Sequence, residues 1–357
     1  MKERVLWLYR GFQGELLSVP GKVAALIFVT FLLILPIITA EPYAWRIFTL
    51  SAIFGIYAAS WDLLTGFTGQ VNLGHALFFG VGAYTTGLLN IHFGLPPWVT
   101  IPTGGISAVI VGLIAGIPAL RLRGFYLSLV TLTFPLILTG IILVFPEFTG
   151  GELGLYDIDP LSGSAVLNYY IITLVMLCSV LVMWKFTDAR SKIIRTGVIL
   201  RAIREDEITT RASGIYTTRY KLFAFAVSGF FAGIAGSIHT HFLRTAGPSN
   251  LELFFSFQPI LWTIFGGIGT IYGAVTGVYI LYPAVEFAHY NPVTEQIRFI
   301  LFALMLIVVL LFMPEGITTW VRDKIEVKCP RCKLVNAVTR HLCRACRAPL
   351  HLERKTN

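Results

Sequence analysis

Charged side chains are scarce in this sequence. Asp, Glu, Lys and Arg make up 13% of its 357 residues, hydrophobic residues make up 55%, and the mean hydropathy is +0.74. A soluble globular protein carries about 25% charged residues, so this chain has too few to keep its whole surface in water. The scarcity excludes a cytosolic two-domain enzyme, a secreted disulfide scaffold and a disordered regulator. It indicates a protein embedded in a membrane.

Three further features are missing. No Walker loop, G-x-x-x-x-G-K-[ST], occurs, so we expect a chain that binds no nucleotide, hydrolyses no ATP and is not an enzyme. No cleavable signal peptide is expected, because the first apolar run begins only after Lys22. Ionisable residues are rare in the apolar zone, where only Asp62, Glu286 and a few histidines come near, which disfavours a stand-alone secondary transporter.

The net charge of +9 is concentrated in three patches. Of the 28 Lys and Arg residues, four lie between Lys2 and Lys22, eight between Arg190 and Lys221, and ten between Arg322 and Lys355. Each patch flanks an apolar run, as the positive-inside rule requires of cytoplasmic segments. The basic charge therefore reports membrane topology, and we expect no nucleic-acid partner.

The apolar runs predict an all-α polytopic membrane protein with about ten transmembrane helices. Single spans are expected over 23–40, 44–64, 124–146, 161–184, 222–243 and 299–314, with two spans each in 63–120 and 253–285. Ten crossings place all three basic patches in the cytoplasm, including the N-terminus and the tail, and leave an acidic loop outside. A re-entrant hairpin over 253–285 is the alternative. Asp62, near the end of its span, is expected to reach the interface.

Three regions follow from this count. Residues 1–22 form a cytoplasmic N-terminal segment, either a short interfacial helix or a disordered basic tail. Residues 23–320 form the transmembrane domain, in which glycines spaced four apart, such as Gly229 and Gly233, predict close helix packing. Residues 321–357 form a cytoplasmic tail.

The segment GFTGQVNLGHALFFGVGAY combines five glycines with polar side chains inside an apolar stretch. Glycines break a helix and expose backbone groups that lipid cannot satisfy, so such a segment is buried in protein or lines an aqueous cavity. The candidate pathway residues are Gly69, Gln70, Asn72, Gly74 and His75. Alternatively, the polar side chains only cap the broken helix.

A long cytoplasmic loop over 187–221 contains a second candidate site. Its sequence predicts a helix over 198–213 that ends at Gly214, a residue suited to a C-cap with positive φ. The polar residues of interest are Arg204, Glu205, Asp206 and Glu207. A short capped helix on the membrane surface is typical of a docking element, and a solvated helix without a partner is the alternative.

The tail contains four of the five cysteines, Cys329, Cys332, Cys343 and Cys346, in the order C-x2-C-x10-C-x2-C. Two such pairs supply the four thiolates of a structural zinc site and resemble a small zinc ribbon. Disulfides are the alternative, although a cytoplasmic tail lies in a reducing compartment. His341 and His351 are possible substitute ligands, but four cysteines already complete the coordination shell.

Five segments occur in the order found in one family: GFTGQVNLGHALFFGVGAY, RGFYLSLVTLTFPLIL, LRAIREDEITTRASGIYTTRYKLFAFAVSGFFAGIAG, FGGIGTIYGAVTG and MPEGI. Over about residues 40 to 320, the chain resembles the M-type permease subunit of branched-chain amino-acid ABC importers. The zinc-ribbon-like tail departs from that family.

This resemblance implies a compact ABC-importer fold in the plasma membrane. It also implies an H-type permease partner, two ATP-binding subunits, an extracytoplasmic binding protein and contact with membrane lipid. It assigns residues 205–214 to the ATPase-coupling loop and residues 69–75 to the glycine-rich membrane segment. Close relatives carry urea or short amides, so the solute stays open at this point.

Overall fold

The computed structural model describes residues 20–39, 41–122, 124–188, 195–288, 292–332, 335–338, 340–343 and 346–350. The N-terminal half consists of α1 Pro20–Ile38, α2 Pro42–Trp61 with a π-helix Asp62–Gly66, α3 Ala76–Phe93, α4 Pro97–Ala119, α5 Phe125–Val144, α6 Pro146–Thr149 and α7 Ala165–Thr187. It is followed by α8 Thr196–Glu205, α9 Glu207–Ala212, α10 Thr217–Leu243, a 3-10 turn Pro248–Leu251, α11 Leu253–Gly266, α12 Ile271–Ala288, α13 Pro292–Phe312, α14 Ile317–Ile325, β1 Glu326–Lys328 and β2 Val335–Ala337. The possible N-terminal helix lies outside the described residues.

Local sequence signals explain several helix ends. Pro42 and Pro97 occupy the first turn of α2 and α4, where a missing N–H costs nothing. Gly94 ends α3 in the left-handed region with φ of 61°, a conformation that glycine adopts without strain.

The chain forms two compact units. The large unit is Glu41–Gly316, and the small unit combines Met1–Ala40 with Ile317–Asn357. In the large unit α3, α4 and α10 pack closely together, while α2 packs against α7, α10, α11 and α12.

Small residues make the α3–α4–α10 packing possible. A Cβ added at Gly82 of α3 would collide with the Gly233 backbone of α10, and one at Gly233 would meet Ala108 of α4 at 2.5 Å. Added methyl groups at Gly112 and Gly116 would collide with Phe78 and Phe225. The prediction that glycine seams let these helices approach is confirmed.

Among the described residues, five helical segments are long and apolar enough to cross a membrane. They are Pro42–Gly66, Pro97–Ala119, Phe125–Val144, Ala165–Thr187 and Thr217–Leu243, and a sixth span is counted if the bent pair Leu253–Gly266 and Ile271–Phe287 crosses once. The chain is mostly helical with several candidate spans, as predicted, whereas the predicted number of about ten transmembrane helices is not confirmed.

The stretch expected to cross twice contains α11 and α12, which meet at an angle of 105°. At about 1.5 Å per residue, the 14 residues of α11 extend over only about 21 Å, less than the ~30 Å of a hydrocarbon core. This bend is intermediate between a straight span and a hairpin, and either a broken span or a re-entrant turn has this shape.

In the small unit, α1 and α14 are in contact. The backbone N–H of Gly21, in the first turn of α1, donates a hydrogen bond of 2.8 Å to Oε1 of Glu326. A negative carboxylate is favourable at this end of a helix because the free N–H groups there carry partial positive charge. Strands β1 and β2 pair antiparallel, with Val327 opposite Asn336.

Candidate functional site

Glycines from three distant segments meet at one place in the large unit. A Cβ added at Gly66 would lie 2.8 Å from the Gly269 backbone nitrogen, and one at Gly316 would contact the backbone of Gly267. We call the set Gly66, Gly69, Gly267, Gly269 and Gly316 the glycine junction. It joins the break after α2, the break between α11 and α12, and the segment that follows α13.

Backbone conformation explains why glycine occupies most of these positions. The φ angles of Gly69, Gly267, Gly269 and Gly316 are 72°, 123°, 76° and 86°. A residue with a Cβ is strained at such angles, typically by about 1 kcal/mol or more. Gly269 lies four residues before Gly273, the spacing typical of a helical glycine seam, but it belongs to the turn before α12.

Asp62 ties the junction together. Its side chain is fully buried, and Oδ1 accepts a hydrogen bond of 2.7 Å from the backbone N–H of Gly269. The prediction that Asp62 reaches the membrane interface was wrong, because the α2 helix continues as a π-helix that turns this carboxylate toward the α11–α12 break. A lone carboxylate near the end of an apolar run was the sequence signal for this role.

The candidate pathway residues directly follow the junction. Gln70, Asn72 and His75 are 6%, 3% and 0% exposed. The carbonyl of Gln70 accepts a hydrogen bond from the Thr65 hydroxyl at 2.9 Å, and that of Asn72 accepts one from the Trp61 indole at 2.8 Å. Side chains of the preceding helix therefore satisfy backbone groups that the broken helix leaves free.

His75 and Asn72 are held by neighbours. One ring nitrogen of His75 is 2.9 Å from the Ser60 hydroxyl and the other is 3.4 Å from the Asn72 amide nitrogen, while the ring stacks on Tyr57. Asn72 also accepts a hydrogen bond from the Gly74 N–H through Oδ1. These contacts hold the segment that precedes α3 in shape, whereas the side chain of His75, the N-cap residue of α3, makes no capping hydrogen bond.

Gln70 differs from its neighbours. Neither its amide oxygen nor its amide nitrogen has a hydrogen-bonding partner among the described residues, although both atoms are buried. An unpaired buried amide costs free energy, about 1–3 kcal/mol for each group left unsatisfied. Gln70 is therefore the residue of this segment that is available to bind water or a solute.

Helix α5 packs on the same segment through residues that the sequence did not single out. The Thr131 hydroxyl accepts a hydrogen bond from the Leu73 N–H at 3.1 Å, and the Ser128 hydroxyl donates one to the Val71 carbonyl at 3.1 Å. Gly74 is needed here because an added Cβ would collide with the Thr131 carbonyl. Hydroxyls in the motif RGFYLSLVTLTFPLIL were the available signal.

The loop over 187–221 contains two short helices instead of the single helix expected over 198–213. The chain breaks at Asp206, whose extended backbone ends α8 and starts α9. Oδ1 of Asp206 accepts hydrogen bonds from the N–H groups of Ile208 and Thr209 at 2.8 and 3.1 Å. Asp206 is thus an N-cap, and its hydrogen bonds with the hydroxyl and N–H of Thr209 lower the pKa of its carboxyl.

Glu207 fixes α9 to the start of α10. Its carboxylate lies 2.6 Å from Nζ of Lys221 and 3.0 Å from the Arg211 guanidinium. The Ile208 side chain is 69% exposed at the same turn. The α8–α9 pair therefore exposes the apolar side chain of Ile208 on a helix that the ion pairs of Glu207 hold in place.

Gly214 ends this element as predicted. Its φ is 84°, and its N–H donates to the Arg211 carbonyl at 3.0 Å. Arg204, one helix earlier, donates a hydrogen bond from its guanidinium to the Gly66 carbonyl. Arg204 therefore connects the α8–α9 pair with the glycine junction, and Glu205 ends α8 beside it.

The four tail cysteines come together in the small unit. Their sulfur atoms all lie within 4.8 Å of one another, and Cys329–Cys346 and Cys332–Cys343 are each separated by 3.5 Å. Disulfide sulfurs are about 2.05 Å apart, so these are free thiols that could hold a metal ion.

The surroundings of the cysteines favour metal binding. The backbone N–H of Cys332 lowers the pKa of the Cys329 thiol, and the buried Asn336 amide lies 3.6 Å from the Cys343 sulfur. Both donors stabilise thiolates, the form that binds metals. His351 lies outside the described residues, and the ligand cluster contains cysteines alone.

Comparison with known proteins identifies the large unit. Residues 43–310 match the family described as branched-chain amino acid transport system / permease component. The chain belongs to this permease family.

Individual relatives agree with this assignment. The permease is 29% identical over 304 residues to the high-affinity branched-chain amino acid transport system permease protein LivM of Escherichia coli, covering 78% of this chain and 71% of the relative. It is 25% identical over 293 residues to LivH of Salmonella typhimurium, covering 75% and 92%. It is 27% identical over 207 residues to the ribose import permease protein RbsC of Haemophilus influenzae, covering 56% and 62%. No solved structure matches it.

The matched range has a physical meaning. It includes every residue of the glycine junction except Gly316, as well as the α8–α9 pair, and it ends before the cysteine cluster. The permease family match therefore does not include the four cysteines that could hold a metal ion.

Proposed function

We propose that this chain is the M-type permease subunit of an ATP-driven importer for branched-chain, hydrophobic amino acids. It forms half of the translocation pathway with an H-type permease subunit, and it works with two cytoplasmic ATP-binding subunits and an extracytoplasmic substrate-binding protein. The family match over 43–310 is the observation that carries this proposal. The names of the LivM and LivH relatives support the substrate class and the permease pairing.

The proposed topology has ten crossings in the plasma membrane with both termini in the cytoplasm. Ten helices, α1–α5, α7 and α10–α13, lie within the apolar runs, and five of them are long and apolar enough to span a membrane on their own. The hydrogen bond between Gly21 and Glu326 supports an even number of crossings, because it requires the start of α1 and the tail to lie on one side of the membrane.

In this proposal the segment from Gly69 to His75 lies beside the solute route. Gln70 faces the solute or its water, since its buried amide has no partner among the described residues. Asn72, Gly74 and His75 hold the broken helix in shape through the contacts described above. The pathway thus has one adaptable polar residue on a rigid support.

The α8–α9 pair is the proposed docking element for the ATPase. Exposed Ile208 fits an apolar pocket, and the ion pairs of Glu207 keep the element from folding away. An exposed anchor on a rigid support is a common arrangement at binding hot spots. Arg204, Glu205, Asp206 and Gly214 set the position of this element.

The tail is proposed to bind one structural zinc ion through Cys329, Cys332, Cys343 and Cys346. At a Zn–S distance of about 2.3 Å, sulfurs in a tetrahedral site are about 3.8 Å apart, which fits sulfurs that already lie within 4.8 Å of one another. Zinc supplies structural cross-linking here, because four thiolates leave no open coordination position for chemistry.

The test is purification of the complex through a tag on this chain, followed by uptake in proteoliposomes. We expect ATP-binding subunits and a second permease to co-purify. Uptake of radiolabelled leucine should require ATP and the binding protein, and isoleucine and valine should compete. A chain that purifies alone and moves leucine down an ion gradient would instead support a secondary transporter.

Urea and short amides are the alternative solutes of the same importer class. Competition by unlabelled urea or acetamide, with no competition by isoleucine, would replace the substrate proposal and leave the importer proposal intact. A mutant ATPase subunit that binds but does not hydrolyse ATP is the matched control.

A further inference from the structure

Arg204 occupies the space between two glycines that belong to different helix breaks. A Cβ added at Gly69 would lie 3.4 Å from Cγ of Arg204, and one at Gly269 would lie 2.9 Å from its Nη1. The guanidinium donates to the carbonyl of Gly66, at the end of the α2 π-helix. One side chain of the α8–α9 pair therefore contacts both breaks.

Asp62 extends this contact. The fully buried Oδ1 of Asp62 accepts a hydrogen bond of 2.7 Å from the N–H of Gly269, the residue that Nη1 of Arg204 approaches. The contacts therefore run from α8 through Arg204 to Gly66 and to the turn between α11 and α12, and Asp62 holds that turn from the end of α2.

We propose that Arg204 is the positioning residue that transmits movement of the α8–α9 pair to the two helix breaks of the glycine junction. This inference rests on the proposed importer function. When the ATPase shifts α8, the guanidinium displaces the end of α2 through Gly66 and the α11–α12 turn through Asp62 and Gly269. Coupling between sites requires such an element with more than one arrangement, and glycine-broken helices can bend where continuous helices resist.

Arginine suits this position better than lysine. Its planar guanidinium has five N–H donors in a fixed fork and can serve a carbonyl and a carboxylate together. Lysine has a flexible point charge, which can donate to Gly66 without holding a fixed geometry toward Asp62. The proposal therefore distinguishes Arg204→Lys from Arg204→Ala.

The experiment measures ATP hydrolysed per leucine transported, using the whole complex in proteoliposomes. For Arg204→Ala we expect leucine uptake to fall by roughly 2- to 30-fold, the range found for residues that carry coupling, while basal ATP hydrolysis continues. Arg204→Lys should recover part of the uptake. Arg219→Ala is the control, because this nearby arginine places its charge 5.2 Å from the ring of exposed Tyr216, outside the glycine junction; the ratio of ATP to leucine for this variant should match that of the parent.

Asp62→Asn separates transmission from ATPase docking. Asn keeps an oxygen that accepts the Gly269 N–H but removes the acidic group that interacts electrostatically with Arg204, and the side chain is fully buried. Leucine uptake per ATP hydrolysed should fall. The double variant Asp62→Asn with Arg204→Ala should transport no less leucine per ATP than the more impaired of the two single variants.

Two results would overturn the proposal. In the first, the Arg204→Ala complex has the parental ratio of ATP hydrolysed to leucine transported. In the second, the ratio changes in Arg204→Ala but not in Asp62→Asn, which assigns Arg204 to docking alone. If the Arg204→Ala complex does not assemble, the ratio measured for the Asp62→Asn complex tests the proposal. A parent complex without ATP-dependent uptake would instead refute the importer function itself.

Discussion

Replacement of Gly214 tests the proposed docking element, the α8–α9 pair, and changes little of its side-chain packing. The residue has φ of 84°, and no heavy atom of the described residues lies within 4 Å of the position that a Cβ would take. A larger side chain therefore meets no neighbour, and the cost comes from the backbone alone. For a residue with a Cβ in the left-handed region, that cost is about 1–2 kcal/mol.

A graded series follows from this geometry. Asn tolerates the left-handed region, so Gly214→Asn should change little; Gly214→Ala should cost about 1 kcal/mol, and the β-branched Gly214→Val more. A change of 1–2 kcal/mol alters an equilibrium by a factor of about 5–30. If the turn after α9 is stabilised by a free energy of about the same size, its native conformation would then be present in only a minority of molecules.

The assay compares co-purification of the ATP-binding subunits and ATP-dependent leucine uptake across the series. We expect losses in the order Val, Ala, Asn. Gly140→Ala is a matched control, because an added Cβ there also meets nothing within 4 Å but the residue lies inside α5 without a positive φ. If Gly214→Val assembles and transports like the parent, the docking assignment of this loop is refuted.

Three other predictions test separate parts of the chain. In a Cys178→Ala background, a cysteine at Gln70 should react with a small water-soluble thiol reagent during turnover, whereas one at His75, which is 0% exposed, should stay protected; protection of both throughout the cycle would favour a purely structural segment. The Cys343→Ser variant should lose the bound zinc measured by atomic absorption, whereas Cys178→Ser should retain it; a metal-free parent would contradict the zinc site. Asp206→Ala should weaken the α9 cap by about 1 kcal/mol and reduce uptake more than Asp206→Asn. The pKa of the Asp206 carboxyl is lowered in the folded protein. Its contribution to the stability of the α9 cap is therefore complete above the ordinary pKa of 3.8 and is lost only as pH falls through the lower folded value. Leucine uptake by the parent should consequently show no effect of Asp206 titration between about pH 6 and 8.

Local features of this protein could be predicted from sequence. The long helices follow from uncharged runs, the cysteine cluster from C-x2-C spacing, and the positive φ of Gly214 from its place after a capped helix. Each of these depends on residues that are close along the chain, so its physical cause is visible in a short window.

Features that depend on distant residues were missed. The Asp62–Gly269 hydrogen bond joins positions 207 residues apart, and no local pattern indicates it. The break at Asp206 was missed for a different reason: four consecutive charged residues, from Arg204 to Glu207, suit the polar face of one helix as well as the N-cap of a second. Only the positions of Ile208 and Thr209 relative to the carboxylate distinguish the two.

The glycine junction and the α8–α9 pair form one continuous structure. The segment proposed for the pathway begins at Gly69, and the element proposed for docking reaches the same glycine through Arg204. A solute that binds at Gln70 would therefore alter the free energy of the break that Arg204 contacts. Since coupling is reciprocal in binding free energy, ATPase binding should in turn change the affinity for that solute by the same factor. Measuring leucine affinity with and without the ATP-binding subunits, in the parent and in Asp62→Asn, tests this reciprocity, and equal affinities in the parent would show that the two sites are not coupled through the junction.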